Sequence, residues 1–416
     1  MSPLDLPVLD VDFVRAQFPA FADPDGAATA FMENAGGSYA AGAVIERLSD
    51  FYTRSKVQPY GAYPAAARAG AAMDEARARL AAMLNVAEDE LLVGPSTSQN
   101  AYVLAQAFAA TLEPGDEIVV TNQDHEANSG PWRRLAERGF VVREWAVDPE
   151  TGHLDPTDLA GLLGPRTRVV AFTHASNIVA EINPVAEIAA MVGAAGAVSV
   201  VDGVSAAPHG LPDVARLGAD AYLFSTYKTY GPHQGVMMLR RALAERLANQ
   251  GHYFNDGYPT KRMVPAGPDH AQVAALAGIC DYVDALYDRH INAPADPAGR
   301  ARVVSVMMRA REIALTKRLL ARLEGLEGLE GVRLLGPRDA VDRASTGARA
   351  CARPGPELAD ALATHGIGAG GGSFYADRVL GAMGVAPEHG VLRLSFLHYT
   401  TETEIDRTAA AVEAVL

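Results

Sequence analysis

The central half of the chain alternates short, continuous apolar runs with segments of helical spacing. Continuous apolar runs are typical of strands that are buried on both faces of a parallel sheet, and helices between such strands cover those faces. The pattern therefore predicts an α/β fold whose large domain holds a mainly parallel seven-stranded sheet. The predicted strands are residues 90–93, 117–121, 141–147, 168–173, 198–201, 220–224 and 236–239.

The pattern changes beyond about Tyr282, where a long helical stretch precedes three further apolar runs. These runs, over 332–335, 347–353 and 391–396, predict strands of a second sheet in a smaller α+β domain. An amphipathic helix near the N-terminus is expected to pack on it. The predicted organisation is an N-terminal segment (1–25), a large domain (26–284) and a small C-terminal domain (285–416).

Composition excludes several classes of protein. Of the 416 residues 49% are hydrophobic, and the formal net charge of −14 opposes nucleic-acid binding and a polybasic membrane patch. The longest uncharged run, 188–201, is too short to span a bilayer, and no apolar signal segment opens the chain. A cytoplasmic location is expected. The two cysteines, Cys280 and Cys351, have no metal-ligand spacing, so we expect neither a disulfide nor a metal site.

One lysine, Lys228, lies among hydroxyls and glycines just after an apolar run, in the stretch Ser225-Thr-Tyr-Lys-Thr-Tyr-Gly231. An amine in this setting suits a Schiff base, and hydroxyl groups can hold a phosphate. Both are requirements of pyridoxal 5′-phosphate (PLP). On this stretch alone, an ordinary loop lysine is an equal alternative.

Ligands of open α/β sheets bind at the carboxyl ends of the strands, so residues that follow the predicted strands are site candidates. Thr97 and Ser98 open a helix and can bind a phosphate, although hydroxyl residues are also common N-caps. His125 can stack on an aromatic ring or transfer a proton. Asn177 can donate a hydrogen bond to a phenolic oxygen. A loop histidine and a turn asparagine without function are the alternatives.

Asp202 ends the buried run 198–201. A buried carboxylate needs a partner, and a protonated pyridine nitrogen would both supply one and make PLP an electron sink. Five strand ends thus offer a phosphate cradle, a ring stacker, an oxygen donor, a pyridinium partner and an amine. Their combination predicts a PLP site more specifically than any one of them.

A glycine-rich stretch, Gly366-Ile-Gly-Ala-Gly-Gly371, matches the dinucleotide-binding pattern GxGxxG. It follows a predicted helix, and no βαβ unit frames it. Nucleotide binding is therefore not expected there.

These residues, in this order, resemble the class V aminotransferases of PLP fold type I, and most closely the cysteine desulfurase and selenocysteine lyase branch. The resemblance extends over about residues 30–400 and implies the PLP-dependent transferase fold type I, PLP as cofactor and a homodimer. The matching segments are Asn34-Ala-Gly-Gly37, Thr97-Ser98, His125-Glu-Ala-Asn-Ser-Gly-Pro-Trp132, Thr173-His-Ala-Ser-Asn-Ile178, Val201-Asp-Gly203, Ser225-Thr-Tyr-Lys-Thr-Tyr-Gly-Pro232 and Arg393-Leu-Ser395.

The resemblance implies a role for each matched residue. Lys228 would form the Schiff base, Asp202 would pair with the pyridine nitrogen and His125 would stack on the ring. Asn34 and Arg393 would bind the substrate, with the Arg393 guanidinium at its α-carboxylate. The remaining residues implied to contact PLP are Thr97, Ser98 and Ser225 at the phosphate, Tyr227 where many desulfurases have a histidine, and Asn177 and Ser205 near the phenolic oxygen.

The sequence also departs from that branch. Desulfurases carry a nucleophilic cysteine in a mobile loop of the small domain, but the corresponding segment 366–376 has none, and Tyr375 stands about there. Cys280 and Cys351 lie on predicted secondary structure, where buried, inert thiols are expected. Pro268 replaces a threonine that usually contacts the partner subunit's phosphate.

These departures favour a desulfurase-like lyase that expels a β-substituent, most simply sulfur, from an amino acid without a persulfide. Lys228 would take the α-proton, and Tyr375 would either protonate the leaving group or line the pocket. Transamination and epimerisation share the first steps and remain open. A non-catalytic partner protein with this fold is the alternative from another class.

Overall fold

The structure is a computed structural model that describes residues 6–328 and 331–416. Residues 1–5 of the predicted N-terminal segment lie outside it. The strands are β1 (Ala30–Met32), β2 (Leu91–Gly94), β3 (Glu117–Thr121), β4 (Val141–Trp145), β5 (Thr167–Thr173), β6 (Val198–Asp202), β7 (Ala221–Ser225), β8 (Gly235–Leu239), β9 (Arg333–Leu334), β10 (Thr346–Ala350), β11 (Ile367–Gly372) and β12 (Val391–Ser395).

The helices lie before, between and after these strands, and no described helix is long and apolar enough to span a membrane. They are α1 (Val11–Ala16), α2 (Pro24–Ala28), α3 (Gly42–Arg54), α4 (Pro64–Met83), α5 (Thr97–Ala109), α6 (Glu126–Arg133), α7 (Pro156–Leu162), α8 (Val185–Ala194), α9 (Val214–Leu217), α10 (Arg241–Arg246), α11 (Pro259–Arg262), α12 (His270–Ala275), α13 (Ala277–His290), α14 (Pro297–Leu323), α15 (Gly355–Ala363), α16 (Asp377–Ala382) and α17 (Glu402–Val415).

Seven strands form the larger sheet, in the order β2-β8-β7-β6-β5-β3-β4. Only β8 runs antiparallel to its neighbours, and the other pairings are parallel. Successive residues of β5 enter different hydrophobic clusters, with Val170 in one and Val169 in another. The sheet is thus buried on both faces, as its continuous apolar strands require. The predicted mainly parallel seven-stranded sheet is confirmed.

Five strands form the smaller sheet, in the order β1-β11-β12-β10-β9. β1 pairs in parallel with β11, although it lies within the range 26–284 predicted for the large domain. The chain therefore crosses from the small sheet to the large one after β1. The predicted domain bounds do not follow the sheets at this point, because three residues give too short a signal to assign a strand to a sheet.

The glycine-rich segment 366–376 was predicted to be a loop, and this prediction is wrong for its first half. Residues Ile367–Gly372 form β11 and pair with both β1 and β12. Glycine is disfavoured within strands, since it has no side chain to pack. The glycine-rich composition of this segment therefore did not predict the strand β11. The pairing on both sides supplies the stability that the side chains do not.

Residues 132–138 read as a helix in the sequence, but the structure begins this helix earlier. α6 starts directly after His125, and a 3₁₀ segment, Arg134–Arg138, follows it. Pro131 lies inside α6, where it lacks the backbone N–H of an ordinary helical residue. A proline usually argues against helix on its N-terminal side, which is why the sequence pattern placed the helix start too late.

Candidate active site

The carboxyl ends of the large sheet's strands enclose one small cavity. Its lining includes all nine residues that the sequence implied for the cofactor. The lining residues are Thr97, Ser98, His125, Ala127, Thr173, Ala175, Asn177, Asp202, Val204, Ser205, Ser225, Tyr227 and Lys228.

One end of the cavity is made of hydroxyl groups at the start of α5. Ser96 caps this helix by accepting a hydrogen bond from the Gln99 N–H at 3.1 Å, so Thr97 and Ser98 occupy its first turn. The Thr97 and Ser225 hydroxyl oxygens lie 2.7 Å apart. Backbone N–H groups and the positive end of the helix dipole favour an anion at this position. This end of the cavity suits a phosphate group.

The helix approaches the sheet closely because Gly235 of β8 has no side chain. A Cβ atom there would lie 2.3 Å from the carbonyl carbon of Ser96. Any other residue would push the first turn of α5 away from the Ser225 hydroxyl. Gly235 therefore helps to form the hydroxyl-lined end of the cavity.

Lys228 ends a short 3₁₀ segment, Thr226–Lys228, and is only 8% exposed. Burial and then the charge of Arg393 lower the pKa of its amine to about 8, with Asp202 and Glu33 acting in the opposite direction. A larger fraction of this amine than of an ordinary lysine is thus unprotonated near neutral pH. This is the state that a nucleophile or a proton acceptor needs.

Asp202 is the last residue of β6 and is buried. One of its carboxylate oxygens accepts the N–H of Val204 at 2.8 Å. Burial raises the pKa of Asp202 to about 6, against the opposing effects of the Val204 N–H and of Lys228. The site thus holds a buried carboxylate whose charge is costly until a cation pairs with it.

His125 caps α6 from the other side of the cavity. Its Nδ1 accepts the N–H of Ala127 at 3.0 Å, so the neutral ring carries its proton on Nε2. Burial, and then the charges of Lys228 and Arg393, lower the pKa of His125 to about 4. His125 therefore presents a neutral ring and one N–H donor at neutral pH.

Asn177 was predicted to donate to a ligand oxygen, but its amide N–H bonds the carbonyl of Phe374 at 3.0 Å. Its Oδ1 is buried, and no donor among the described residues reaches it. The side chain thus joins the large sheet to the segment after β11. A free acceptor and the second N–H of the amide both remain at this point of the cavity.

Tyr375 does not line the cavity, but it lies beside it and is 73% exposed. Phe374 and Tyr375 have φ angles of 54° and 56°, and each such residue costs about 1–2 kcal/mol in this left-handed region. Hydrogen bonds hold both: Asn177 donates to the Phe374 carbonyl, and the Glu126 N–H donates to the Tyr375 carbonyl at 2.7 Å.

Arg393, in the middle of β12, is 2% exposed. Its Nη2 donates to the Glu33 carboxylate at 2.7 Å, and its Nη1 lies 3.4 Å from the Asn177 carbonyl. The guanidinium carbon lies 3.6 Å from the centre of the Phe374 ring. Burial lowers the pKa of Arg393, and Glu33 opposes that effect. Sequence reasoning missed Glu33 and Phe374, although Glu33 adjoins the quoted segment that starts at Asn34.

The structure does not bring Asn34 to the cavity. Its amide group donates to the carbonyls of Phe31 and Ser395, both at 3.2 Å, and its oxygen accepts the Tyr399 hydroxyl. These bonds use the donors and the acceptor of the side chain. Asn34 therefore ties β1 to β12, and its predicted contact with substrate has no support in this geometry.

Both cysteines are buried and free. Cys280 lies within α13, where burial raises the pKa of its thiol to about 12. Cys351 directly follows β10, and burial raises its pKa too. Neither lines the cavity.

Comparison with known proteins agrees with this geometry. The family model Aminotransferase class-V matches residues 30–264. An aminotransferase-like protein of Gibberella zeae is 32% identical over 414 residues, which cover 98% of each chain. A cysteine desulfurase of Serratia proteamaculans is 32% identical over 296 residues, 66% of this chain and 72% of that protein.

The fold has a close counterpart among solved structures. The apo structure of a cysteine desulfurase from Thermococcus onnurineus superposes with a TM-score of 0.84 and 24% identity, covering 98% of both chains. The overall fold, with its larger and smaller sheets, is thus a known architecture. This chain belongs to the class V aminotransferase family, whose members are PLP-dependent enzymes.

Proposed function

We propose that this protein is a cysteine desulfurase-like lyase that cleaves the carbon–sulfur bond of a β-substituted amino acid by elimination, without a persulfide on the protein. The observation that carries the proposal is the placement of the two cysteines. Both are buried, and both have a raised thiol pKa, whereas nucleophilic cysteines have an exposed, readily formed thiolate. Tyr375 stands beside the cavity instead.

The residues of the cavity fit PLP. Thr97, Ser98 and Ser225 would hold its phosphate, and His125 would lie against its ring. Asp202 would pair with the pyridine nitrogen, which would relieve the cost of a buried, unpaired carboxylate. The unpartnered Oδ1 of Asn177 would accept a hydrogen bond from a ligand group. When bound, PLP supplies an electron sink for the pair released at the α-carbon.

The remaining roles belong to side chains of this chain. Arg393 binds the α-carboxylate of the amino acid and so fixes which α-bond faces the cofactor. The neutral amine of Lys228 takes the α-proton, for which its pKa of about 8 is well matched. The sulfur leaves the β-carbon with its bonding pair, and the Tyr375 hydroxyl donates a proton to it. The organic product hydrolyses to pyruvate and ammonia.

Amino-group transfer is the competing function, because one relative that matches over 98% of this chain is an aminotransferase-like protein. Epimerisation at the α-carbon uses the same proton transfer and competes in the same way. A non-catalytic partner protein would have no reason to hold a buried amine and a buried carboxylate in one cavity.

The products of the reaction distinguish these functions. Holoenzyme is incubated with L-cysteine, L-cystine and other β-substituted amino acids, with Lys228→Ala in parallel. We expect pyruvate together with sulfide or a thiol from the wild type, and neither from the variant. Alanine with a protein-bound persulfide would instead show a desulfurase. Amino transfer to a keto acid would show an aminotransferase, and α-deuteration without product an epimerase.

The protein is also proposed to be a cytoplasmic homodimer. Several aromatic side chains are exposed near one groove, and the segment around Pro268 lines the same groove as Tyr60 and Phe254. Aromatic residues are enriched at protein interfaces, so a second copy is a suitable partner for this surface. Sedimentation should give a dimer, and Phe254→Glu should shift it towards monomer. The most exposed of these aromatic residues are Tyr60, Tyr63, Tyr253, Phe254 and Tyr258.

A further inference from the structure

The predicted carboxylate-binding arginine already has a carboxylate beside it. Glu33 Oε1 lies 2.7 Å from Arg393 Nη2, and Arg393 is almost wholly buried. Glu33 directly follows β1, and its backbone forms a bridge with Ser395 of β12. The pair therefore links β12 to the residue that follows β1 in the smaller sheet.

The glycine-rich strand explains how Glu33 reaches across the sheet. β11 lies between β1 and β12, and Gly370 is paired directly with Arg393. A Cβ atom on Gly370 would lie 2.2 Å from Glu33 Oε2, and one on Gly36 would lie 2.8 Å from Glu33 Oε1. The Glu33 side chain thus passes over β11 through space that two glycines leave open. Within the stretch that matches the nucleotide-binding pattern, Gly370 therefore leaves space for the Glu33 carboxylate.

The pair leaves polar atoms unused on both partners. Glu33 Oε2 and Arg393 Nε are buried, and neither has a hydrogen-bond partner among the described residues. One face of the guanidinium is covered by the Phe374 ring. Arg393 therefore has donors left for one further carboxylate, but one arm of its fork is already taken by Glu33.

We infer that Glu33 is a specificity-determining residue: it occupies one arm of Arg393, so that the subsite accepts a single carboxylate and rejects amino acids with a second negative charge. This inference rests on the proposed function only in assigning the α-carboxylate to Arg393. Glu33 neutralises Arg393 before substrate arrives. A substrate with one carboxylate then brings one net negative charge into the buried subsite.

A second carboxylate on the substrate would add another negative charge near Glu33 and the bound α-carboxylate. Little solvent reaches this region to screen the charges, because Arg393 is buried and Glu33 is partly buried. Like charges brought together across a desolvated contact weaken binding strongly. The favoured substrates are amino acids with a neutral or cationic side chain, and dicarboxylic amino acids are disfavoured.

Ligand affinity tests this inference separately from catalysis. Holoenzyme is titrated with L-alanine and L-aspartate, which lack a β-leaving group of the proposed kind, and the dissociation constants are read from the cofactor absorbance. Calorimetric titration with propionate and succinate repeats the comparison without an amine, and hence without reaction at the cofactor. The wild type should prefer the monocarboxylate of each pair by about tenfold or more.

Glu33→Gln should reduce that preference by about fivefold or more, mainly by improving affinity for the dicarboxylates. Glu33→Asp keeps the charge and should retain most of the preference. Glu245→Gln removes an exposed charge on α10 and should change nothing.

Two results would overturn the inference. One is a wild type that binds both members of each pair equally, which needs no variant to fold. The other is a Glu33→Gln protein whose preference is unaltered or whose affinities fall equally, since that would make Glu33 merely structural. The elimination products from L-cysteine test the lyase function independently, so failure of one proposal is distinguishable from failure of the other.

Discussion

The ring of His125 lies 5.3 Å from the ring of Tyr375, at an interplanar angle of 42°. His125 follows β3 of the larger sheet and Tyr375 follows β11 of the smaller one, and the backbone N–H of Glu126 donates to the Tyr375 carbonyl at 2.7 Å. This contact places the phenol side chain of Tyr375 beside the cavity that Lys228 lines. It also gives the exposed Tyr375 a defined position for a role in proton transfer.

Tyr375→Phe removes only the hydroxyl and keeps the ring contact with His125. If the hydroxyl protonates the leaving sulfur, kcat for elimination should fall about a hundredfold or more while KM changes little. Steady-state kinetics with a β-thio-substituted amino acid measure both constants. Tyr253→Phe, at another exposed tyrosine, is the matched control. An unchanged kcat in Tyr375→Phe would contradict a role of this hydroxyl in the reaction.

Asp202→Asn should stabilise the apo-protein at neutral pH while lowering activity of the holoenzyme. Burial raises the pKa of Asp202 to about 6 from its ordinary 3.8. As pH rises from about 4 to 6, the Asp202 carboxyl loses its proton in the unfolded state before it does so in the folded state. The free energy of unfolding of the wild type therefore falls through that range. Above pH 6 the variant should gain on the order of 1–3 kcal/mol in free energy of unfolding.

Urea unfolding of the apo-proteins at pH 4 and pH 8 measures this difference. The gain should be present at pH 8 and absent at pH 4. A variant that is less stable than the wild type at pH 8 would show that Asp202 is already paired in the apo-protein.

Arg393→Lys should raise KM for the amino acid about ten- to hundredfold, because an ammonium cannot reproduce the planar guanidinium fork. The Phe374 ring and Glu33 would also lose the flat group that they contact. Substrate titration of the initial rate measures the change. Arg54→Lys, on the exposed end of α3, should leave KM unaltered. Equal KM values for Arg393→Lys and wild type would place the carboxylate elsewhere.

Gly370→Ala should destabilise the protein by about 1–3 kcal/mol, as is typical of overpacking. Its Cβ would lie 2.2 Å from Glu33 Oε2, so the carboxylate would have to leave Arg393. Gly381→Ala is the matched control, since Gly381 lies in α16 with nothing within 4 Å of its Cβ position. That control should be neutral or gain about 0.5–1 kcal/mol from helix propensity. Thermal unfolding measures the stability change of each variant. Equal changes would contradict the conclusion that Gly370 leaves space for the Glu33 side chain.

The larger sheet was predictable because most of its strands contain a continuous apolar run; the edge strand β4, with Arg143 and Glu144, is the least apolar. Residues at the ends of those runs share one edge of the sheet, so Asp202, Asn177 and Lys228 meet in one cavity as the pattern requires. The resemblance to a known family added the expected roles. These side chains are not neighbours in the chain, and the order of the strands in the sheet brings them together.

Other features depended on contacts that leave no local signal. Gly370 of β11 leaves open the space that the Glu33 side chain crosses, and only the pairing of β11 with β1 and β12 shows this. Asn34 matched a family segment, but its amide is used by Phe31, Ser395 and Tyr399. Hydrogen bonds between residues that are hundreds of positions apart in the chain cannot be derived from sequence spacing alone.

The most direct measurement of the central claim uses a protein without cysteine. Cys280→Ala combined with Cys351→Ala removes both thiols of the chain, and both sites are buried and outside the cavity. With L-cysteine, we expect this variant to form pyruvate and sulfide at a rate close to that of the wild type. A wild type that forms alanine and a protein-bound persulfide, with loss of that activity in the folded variant, would contradict the account.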